Sequence, residues 1–271
     1  MRAGRTDNWP RRARRTVRLW LKGLQARRKG LEPVHVLHIY KTGGTALKHA
    51  LAGLTETSSH AIFSHKHSIG LDCIPRGHTV VFVVRDPVAR FVSGFYDRKR
   101  EGRPRYHSPW SAAERRTFER FDTPGAIGEA LAAGGEGADA ARAALTSLDR
   151  MTVPWSRWLG CTDDFLARRA DVLLVGRQET LAADFERLRQ LLTLPDSARL
   201  PADDIDAHRA SNVERHMSES ARAALVAAFA EDYAWLDVLE RNGLLVPLPA
   251  AGQTTDRTGN TSSEAASQAA S

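Results

Sequence analysis

Long apolar runs are missing from this chain of 271 residues. The longest run without alanine, within Thr79–Val84, holds five aliphatic or aromatic side chains in a row, far short of the ~20 residues that cross a bilayer. The basic N-terminus is not followed by the apolar stretch of roughly 7–15 residues that marks a secretory signal. A cytoplasmic location is the resulting expectation. Cysteine is scarce: Cys73 and Cys161 are the only two. They are too few for a disulfide framework, and neither has neighbours at metal-ligand spacing, so two buried or half-buried thiols are expected and no metal site. Internal repeats are absent. No nucleic-acid module is visible, and the basic residues are not interleaved with aromatics, which disfavours a nucleic-acid partner.

Hydrophobic residues make up 42% of the chain, enough for one domain with a full core. Charge is uneven. Residues 1–30 carry eleven Arg and Lys against one Asp, whereas the whole chain has a net charge of only +7, so the remainder is slightly acidic. Residues 1–32 therefore read as a basic leader. Val17, Trp20, Leu21 and Leu24 fall on one face of a helix there, a pattern that suits an anionic membrane surface or a polyanion. The plainer alternative is a solvated, partly disordered leader. Residues 251–271 are rich in Ser, Thr, Ala and Gly and read as a disordered tail. The folded domain is expected over 33–250.

Within it, apolar strands alternate with helices. Strands are expected at Val34–Tyr40, Ala61–Ser64, Thr79–Val84 and Asp171–Val175. Helices are expected at 45–54, from Pro87 to Arg100, at Leu181–Leu192, and as one long amphipathic helix over Ser218–Leu239, with residues 103–165 mostly helical. Uninterrupted β-branched strands separated by helices indicate an α/β domain with a central parallel sheet covered on both faces.

The segment His38-Ile39-Tyr40-Lys41-Thr42-Gly43-Gly44-Thr45 carries the most chemistry. A strand, a Gly-Gly turn and a helix aim backbone N–H groups at one point, which suits a phosphate or sulfate. Lys41 adds charge, and Thr42 and Thr45 add hydroxyls. It is not a Walker A loop, because the lysine precedes the glycines and none follows them. A second segment, Arg85-Asp86-Pro87-Val88-Ala89-Arg90-Phe91-Val92-Ser93, sets an arginine at the end of the best strand and a serine eight residues on. Open α/β sheets bind ligands outside such strand ends. Asp86 is read as a helix cap and Arg90 as a structural or loop contact.

Together these two motifs resemble the PAPS-dependent carbohydrate sulfotransferases, where PAPS is 3′-phosphoadenosine 5′-phosphosulfate. The nearest likeness is to the heparan sulfate 2-O-sulfotransferase and chondroitin sulfotransferase branch, in a bacterial-type form for which no membrane anchor is expected. The likeness spans roughly residues 34–240 and weakens in its second half, where Val175–Leu181, Ser211-Asn212 and Asp232-Tyr233 match only loosely. It implies a P-loop-like sulfotransferase fold. It also implies that Lys41, Thr42, Gly43, Gly44 and Thr45 hold the 5′-phosphosulfate, that Lys41 serves the leaving group, and that Arg85 and Ser93 hold the 3′-phosphate. PAPS would be the co-substrate and adenosine 3′,5′-bisphosphate the product, with no metal.

A hydroxyl attacking sulfur needs a base. Phe63-Ser64-His65-Lys66-His67 supplies two imidazoles at i and i+2, which point the same way if the segment stays extended. The family resemblance implies His67 as the base, with His65 supporting or alternative. The acceptor is expected to be a hydroxyl, first of all on a carbohydrate, and the locally basic Arg98–Pro109 segment would border it. Two other readings stand beside this one: a non-catalytic nucleotide- or polyanion-binding protein, and a phosphate-loop kinase, which the missing Walker lysine disfavours.

Overall fold

The structure is a computed structural model and describes residues 9–104, 106–201 and 217–248. The expected tail and the Ser211-Asn212 match lie outside these residues. The elements run, in order, α1 (Trp9–Arg28), β1 (Glu32–Val36), α2 (Gly44–Ala50), β2 (His60–Ser64), β3 (Thr79–Val84), α3 (Pro87–Lys99), α4 (Ala112–Arg120), α5 (Pro124–Ala133) and α6 (Gly135–Ser147). Three short helices follow, α7 (Asp149–Thr152), α8 (Ser156–Leu159) and α9 (Thr162–Leu166). Then come β4 (Val172–Arg177), α10 (Leu181–Leu192), α11 (Glu219–Ala228) and α12 (Ala230–Arg241).

The four strands form one parallel sheet in the order β2-β1-β3-β4. Its centre explains the unbroken apolar run. In β3, Val80, Phe82 and Val84 point to one face, where they meet Leu37, Ile39, Trp155, Trp158, Phe165 and Trp235. Val81 and Val83 point to the other, against Val34, Ile62, Leu47, Phe185 and Leu188. A strand covered on both sides has no polar positions to alternate with. A second cluster joins α3 to the helical layer through Phe91, Phe95, Phe118, Ile127, Leu148 and Leu225. Asp86 caps α3 by accepting from the Ala89 amide at 2.7 Å, and Pro87 occupies the first turn, as the sequence pattern requires.

Three expectations change. The first strand stops at Val36, and residues 37–40 continue toward the loop without pairing as a strand. The helix expected over Ser218–Leu239 breaks at Phe229 into α11 and α12. The break serves packing: Leu225 and Phe229 belong to the helical layer, whereas Trp235 and Leu239 turn to the sheet face, and one straight helix could not present both sets. The basic leader is not separate from the domain. Within α1, Leu19 and Ala26 are buried, and a Cβ on Gly23 would come within 2.0 Å of the His78 ring. The face that packs is therefore not the one that carries Val17, Trp20 and Leu21, which are exposed. A fourth expectation also changes: of the two thiols Cys73 is buried, but Cys161, expected to be buried or half-buried, is exposed.

Candidate active site

The residues after each strand converge on one cavity of about 420 Å³ at the carboxyl ends of the sheet. The segment after β1 contributes His38, Tyr40, Lys41, Gly43, Gly44 and Thr45; that after β2, His67; that after β3, Arg85, with Ser93 and Asp97 from α3; and that after β4, Gln178. This is where the strand order reverses, between β1 and its neighbours on either side, the place an open α/β sheet offers a ligand.

The loop geometry follows from its sequence. Lys41 has φ 61° and Gly43 φ 88°, two left-handed residues in quick succession, a conformation that turns backbone amides inward. Gly43 is also tightly surrounded: a Cβ there would lie 1.9 Å from Gln178 Oε1, so the Gln178 side chain would have to move. Gly44 has ordinary helical backbone, and its lack of a side chain makes room for the His38 ring, whose Cδ2 a Cβ would meet at 2.0 Å. Thr45 lines the cavity. The Thr42 side chain does not reach it: Thr42 is buried, and its hydroxyl donates to the Ile39 carbonyl at 3.2 Å. Its hydroxyl thus tightens the turn instead of facing a ligand.

Lys41 sits deep in the site, with Nζ 3.2 Å from Asp97 Oδ2. Burial lowers its pKa, and the Asp97 carboxylate opposes that shift. Tyr106 donates its hydroxyl to the same Asp97 oxygen at 2.8 Å. Arg85 reaches back to the Lys41 carbonyl at 3.4 Å, and Ser93 is buried one helical turn before Asp97. Asp97, Tyr106, Arg150 and Gln178 were not singled out from the sequence. For Asp97 a signal existed: it lies four residues after Ser93, hence on the same helical face.

The two histidines part company. β2 ends at Ser64 and a turn begins at His67, so no regular strand spans both histidines and the i, i+2 rule no longer holds. His65 turns away from the cavity, and its Nε2 lies 2.8 Å from Nδ1 of the buried His35. His35 in turn meets His78 at 3.0 Å, a chain of three imidazoles under α1. Burial, the largest cause, takes His35 to a pKa of about 2 and His65 to about 4. His67 instead lines the cavity. Its Nδ1 donates to the His38 carbonyl at 2.9 Å, and its ring stacks on Tyr40 at 3.8 Å. Trp158 Nε1 holds the His67 carbonyl at 2.7 Å. With Nδ1 committed as a donor, Nε2 keeps its lone pair. Burial lowers the His67 pKa below 6.5, the His38 carbonyl partly offsetting it.

Arg90 is a structural residue. Fully buried, it donates to the carbonyls of Tyr40 at 3.1 Å and Val153 at 2.5 Å and pairs with buried Asp232 at 2.6 Å. It ties the approach to the Lys41 loop to α12. The Arg98–Pro109 segment is less basic than it reads. Arg98 is buried against Glu114, Lys99 pairs with Asp122, and Arg103 and His107 share Glu101. What the segment gives the cavity is Tyr106 and the inner edge of Arg98.

A cavity that gathers Lys41, Arg85, loop amides, a hydroxyl and a neutral imidazole, between the strand ends of a parallel sheet, is built to hold an anion and move a proton beside it. The profile of the sulfotransferase family matches residues 31–237. The chain belongs to that family, and its reaction class is sulfuryl transfer. Comparison with curated proteins gave no match. The matched span begins after α1 and covers every residue of the cavity described above. Among the described residues, no group of His, Cys, Asp and Glu is arranged to hold a metal ion, and no helix is long and apolar enough to cross a membrane.

Proposed function

We propose that the protein transfers the sulfuryl group of 3′-phosphoadenosine 5′-phosphosulfate to a hydroxyl of a carbohydrate. The observation that carries this reading is the meeting of two anion-binding sets and one imidazole in a single cavity. The donor set fits the co-substrate: the Lys41–Thr45 loop offers amides and an ammonium to the phosphosulfate, and Arg85 with Ser93 offers a planar fork and a hydroxyl to the 3′-phosphate. Lys41 then stabilises the charge that builds on the leaving phosphate oxygen. His67, with Nδ1 held by the His38 carbonyl, accepts the acceptor's proton at Nε2 as its oxygen attacks sulfur. Arg90 and Thr42 keep the loop in place without touching the reactants. Tyr106, exposed at the rim, offers an aromatic face of the kind sugar rings lie on. Arg98, Lys99 and Arg103 nearby are paired with carboxylates, while Arg150 and Lys48 also line the cavity, so the rim accommodates a neutral or an acidic sugar.

The test is calorimetric and chemical. The purified chain should bind adenosine 3′,5′-bisphosphate more tightly than AMP and should release the bisphosphate from PAPS while a sulfated sugar accumulates. Arg85→Ala should erase most of the preference over AMP, losing on the order of 2–4 kcal/mol. Equal affinity for AMP and the bisphosphate in the wild-type protein would overturn the reading.

A further inference from the structure

α1 is packed with its more apolar stripe outward. Leu19, Gly23 and Ala26 face the domain. Val17, Trp20 and Leu21 are 56%, 53% and 47% exposed, and half-buried Leu24 continues their line. On a 3.6-residue period these four share one side of the helix. Arg14 and Arg28, both exposed, fall on the same side at its two ends, and exposed Arg18 and Lys22 flank it. No acidic residue occurs anywhere in the helix. The acids that its neighbours present are taken by other cations, Asp72 by Arg12 and Glu32 by Arg27 of the helix and Glu56 by Lys29 just past its end. Arg14, Arg18 and Arg28 form no such pair among the described residues.

The helix is also held rigidly in this orientation. Arg15 donates to the Ser68 carbonyl and Arg27 to the Gly77 carbonyl at 2.6 Å, and Gly23 lies against His78. Rotating the stripe inward would break these contacts. An exposed Trp-Leu-Val stripe bordered by cations and neutral polar residues, with no acid, is an arrangement that water disfavours and an anionic interface favours, since apolar side chains enter the acyl boundary while arginines stay with phosphates. At 20 residues the helix is about 30 Å long, enough to lie flat over several headgroups.

We propose that the outward face of α1 docks on the surface of an anionic lipid bilayer. The helix precedes the span matched by the family, so this inference stands on α1 alone and does not depend on the transferase reading.

The experiment is co-sedimentation of the full chain with vesicles of phosphatidylcholine, with and without phosphatidylglycerol, at low and high salt. Binding is expected to the phosphatidylglycerol vesicles, to weaken in high salt, and to fall roughly tenfold or more in the double variant Trp20→Ser, Leu21→Ser. Arg14→Glu with Arg28→Glu should weaken it as well. A circular dichroism spectrum and melting midpoint unchanged in every variant verify folding. Three outcomes overturn the proposal: no sedimentation with anionic vesicles at low salt; binding that survives in the Trp20→Ser, Leu21→Ser variant, which would make the contact a purely ionic adhesion; or a wild-type dimer that the same variant splits, with no vesicle binding, which would make the stripe a contact between copies of this chain.

Discussion

Lys41 Nζ lies 3.2 Å from Asp97 Oδ2 inside a cavity otherwise lined by the cations Lys48, Arg85 and Arg150. A carboxylate there opposes the binding of phosphate and at the same time keeps the buried lysine charged. Replacing Asp97 by Asn separates the two effects. Affinity for adenosine 3′,5′-bisphosphate should rise about fivefold, on the order of 1 kcal/mol, because a like charge is removed. The Lys41 pKa, already lowered by burial, should fall further without its partner. The alkaline limb of binding should then move to lower pH. Calorimetry across pH reads both; weaker binding with an unmoved limb would show that Asp97 only supports the fold.

His67 and His65 should separate cleanly in kinetics. His67→Ala is expected to lower kcat by roughly 10²–10⁴-fold, the range for a lost general base, with bisphosphate affinity near that of the wild type. His65→Ala, remote from the cavity, should keep most of the activity. Since burial holds His67 below 6.5, the neutral, proton-accepting form persists to lower pH than for a free imidazole. The acid limb of kcat should accordingly fall below 6.5. An acid limb above that value, or an active His67→Ala enzyme, would remove His67 from the chemistry.

Stability should decline on acidification through the imidazole chain. His35, with a pKa of about 2, and His65, about 4, are neutral in the fold. In the unfolded chain each takes up a proton below its ordinary value of 6.5. The unfolded state thus binds more protons, and stability is lost as pH falls from 6.5 toward those folded values. Melting curves at decreasing pH should show the midpoint dropping by several degrees, with a shallower drop in His35→Gln. A flat midpoint across this window would contradict the geometry.

Arg90→Met should cost about 3–5 kcal/mol in denaturant unfolding, because Asp232 would be left buried without its cation. Burial already raises the Asp232 pKa to about 6 even with Arg90 beside it. A double change, Arg90→Met with Asp232→Leu, should recover part of the loss. If it recovers none, the bonds from Arg90 to the Tyr40 and Val153 carbonyls dominate the pair.

How far the sequence could be read depended on whether the signal was local. The β3 run, the Asp86-Pro87 helix start and the Gly43-Gly44 turn are local, and they located the sheet and the two segments that line the cavity. The fate of His65 was not local: it depended on β2 ending at Ser64 and on His35, thirty positions earlier, standing ready as a partner. Thr42 carried the right chemistry but was consumed by the turn it stabilises. Arg98 and Lys99 read as exposed charge because Glu114 and Asp122, which neutralise them, lie well downstream. The outward stripe of α1 was visible as a pattern, but its direction was not. Small residues, Gly23 and Ala26, marked the packed side, and apolar periodicity pointed to the other.

Because each of the four strands delivers one part of the site, the sheet works as a ruler laid across the reaction. Neighbouring strands stand ~4.8 Å apart, so the groups fall into lanes: Gln178 beyond β4, Arg85 beyond β3, Lys41 beyond β1 and His67 beyond the edge strand β2. On the proposed chemistry, donor phosphates occupy the inner lanes and the proton leaves in the outermost one. On the same proposal the acceptor reaches the cavity on its β2 side and presents a single hydroxyl there. A bulky or tethered molecule can be served in that way without ever being swallowed.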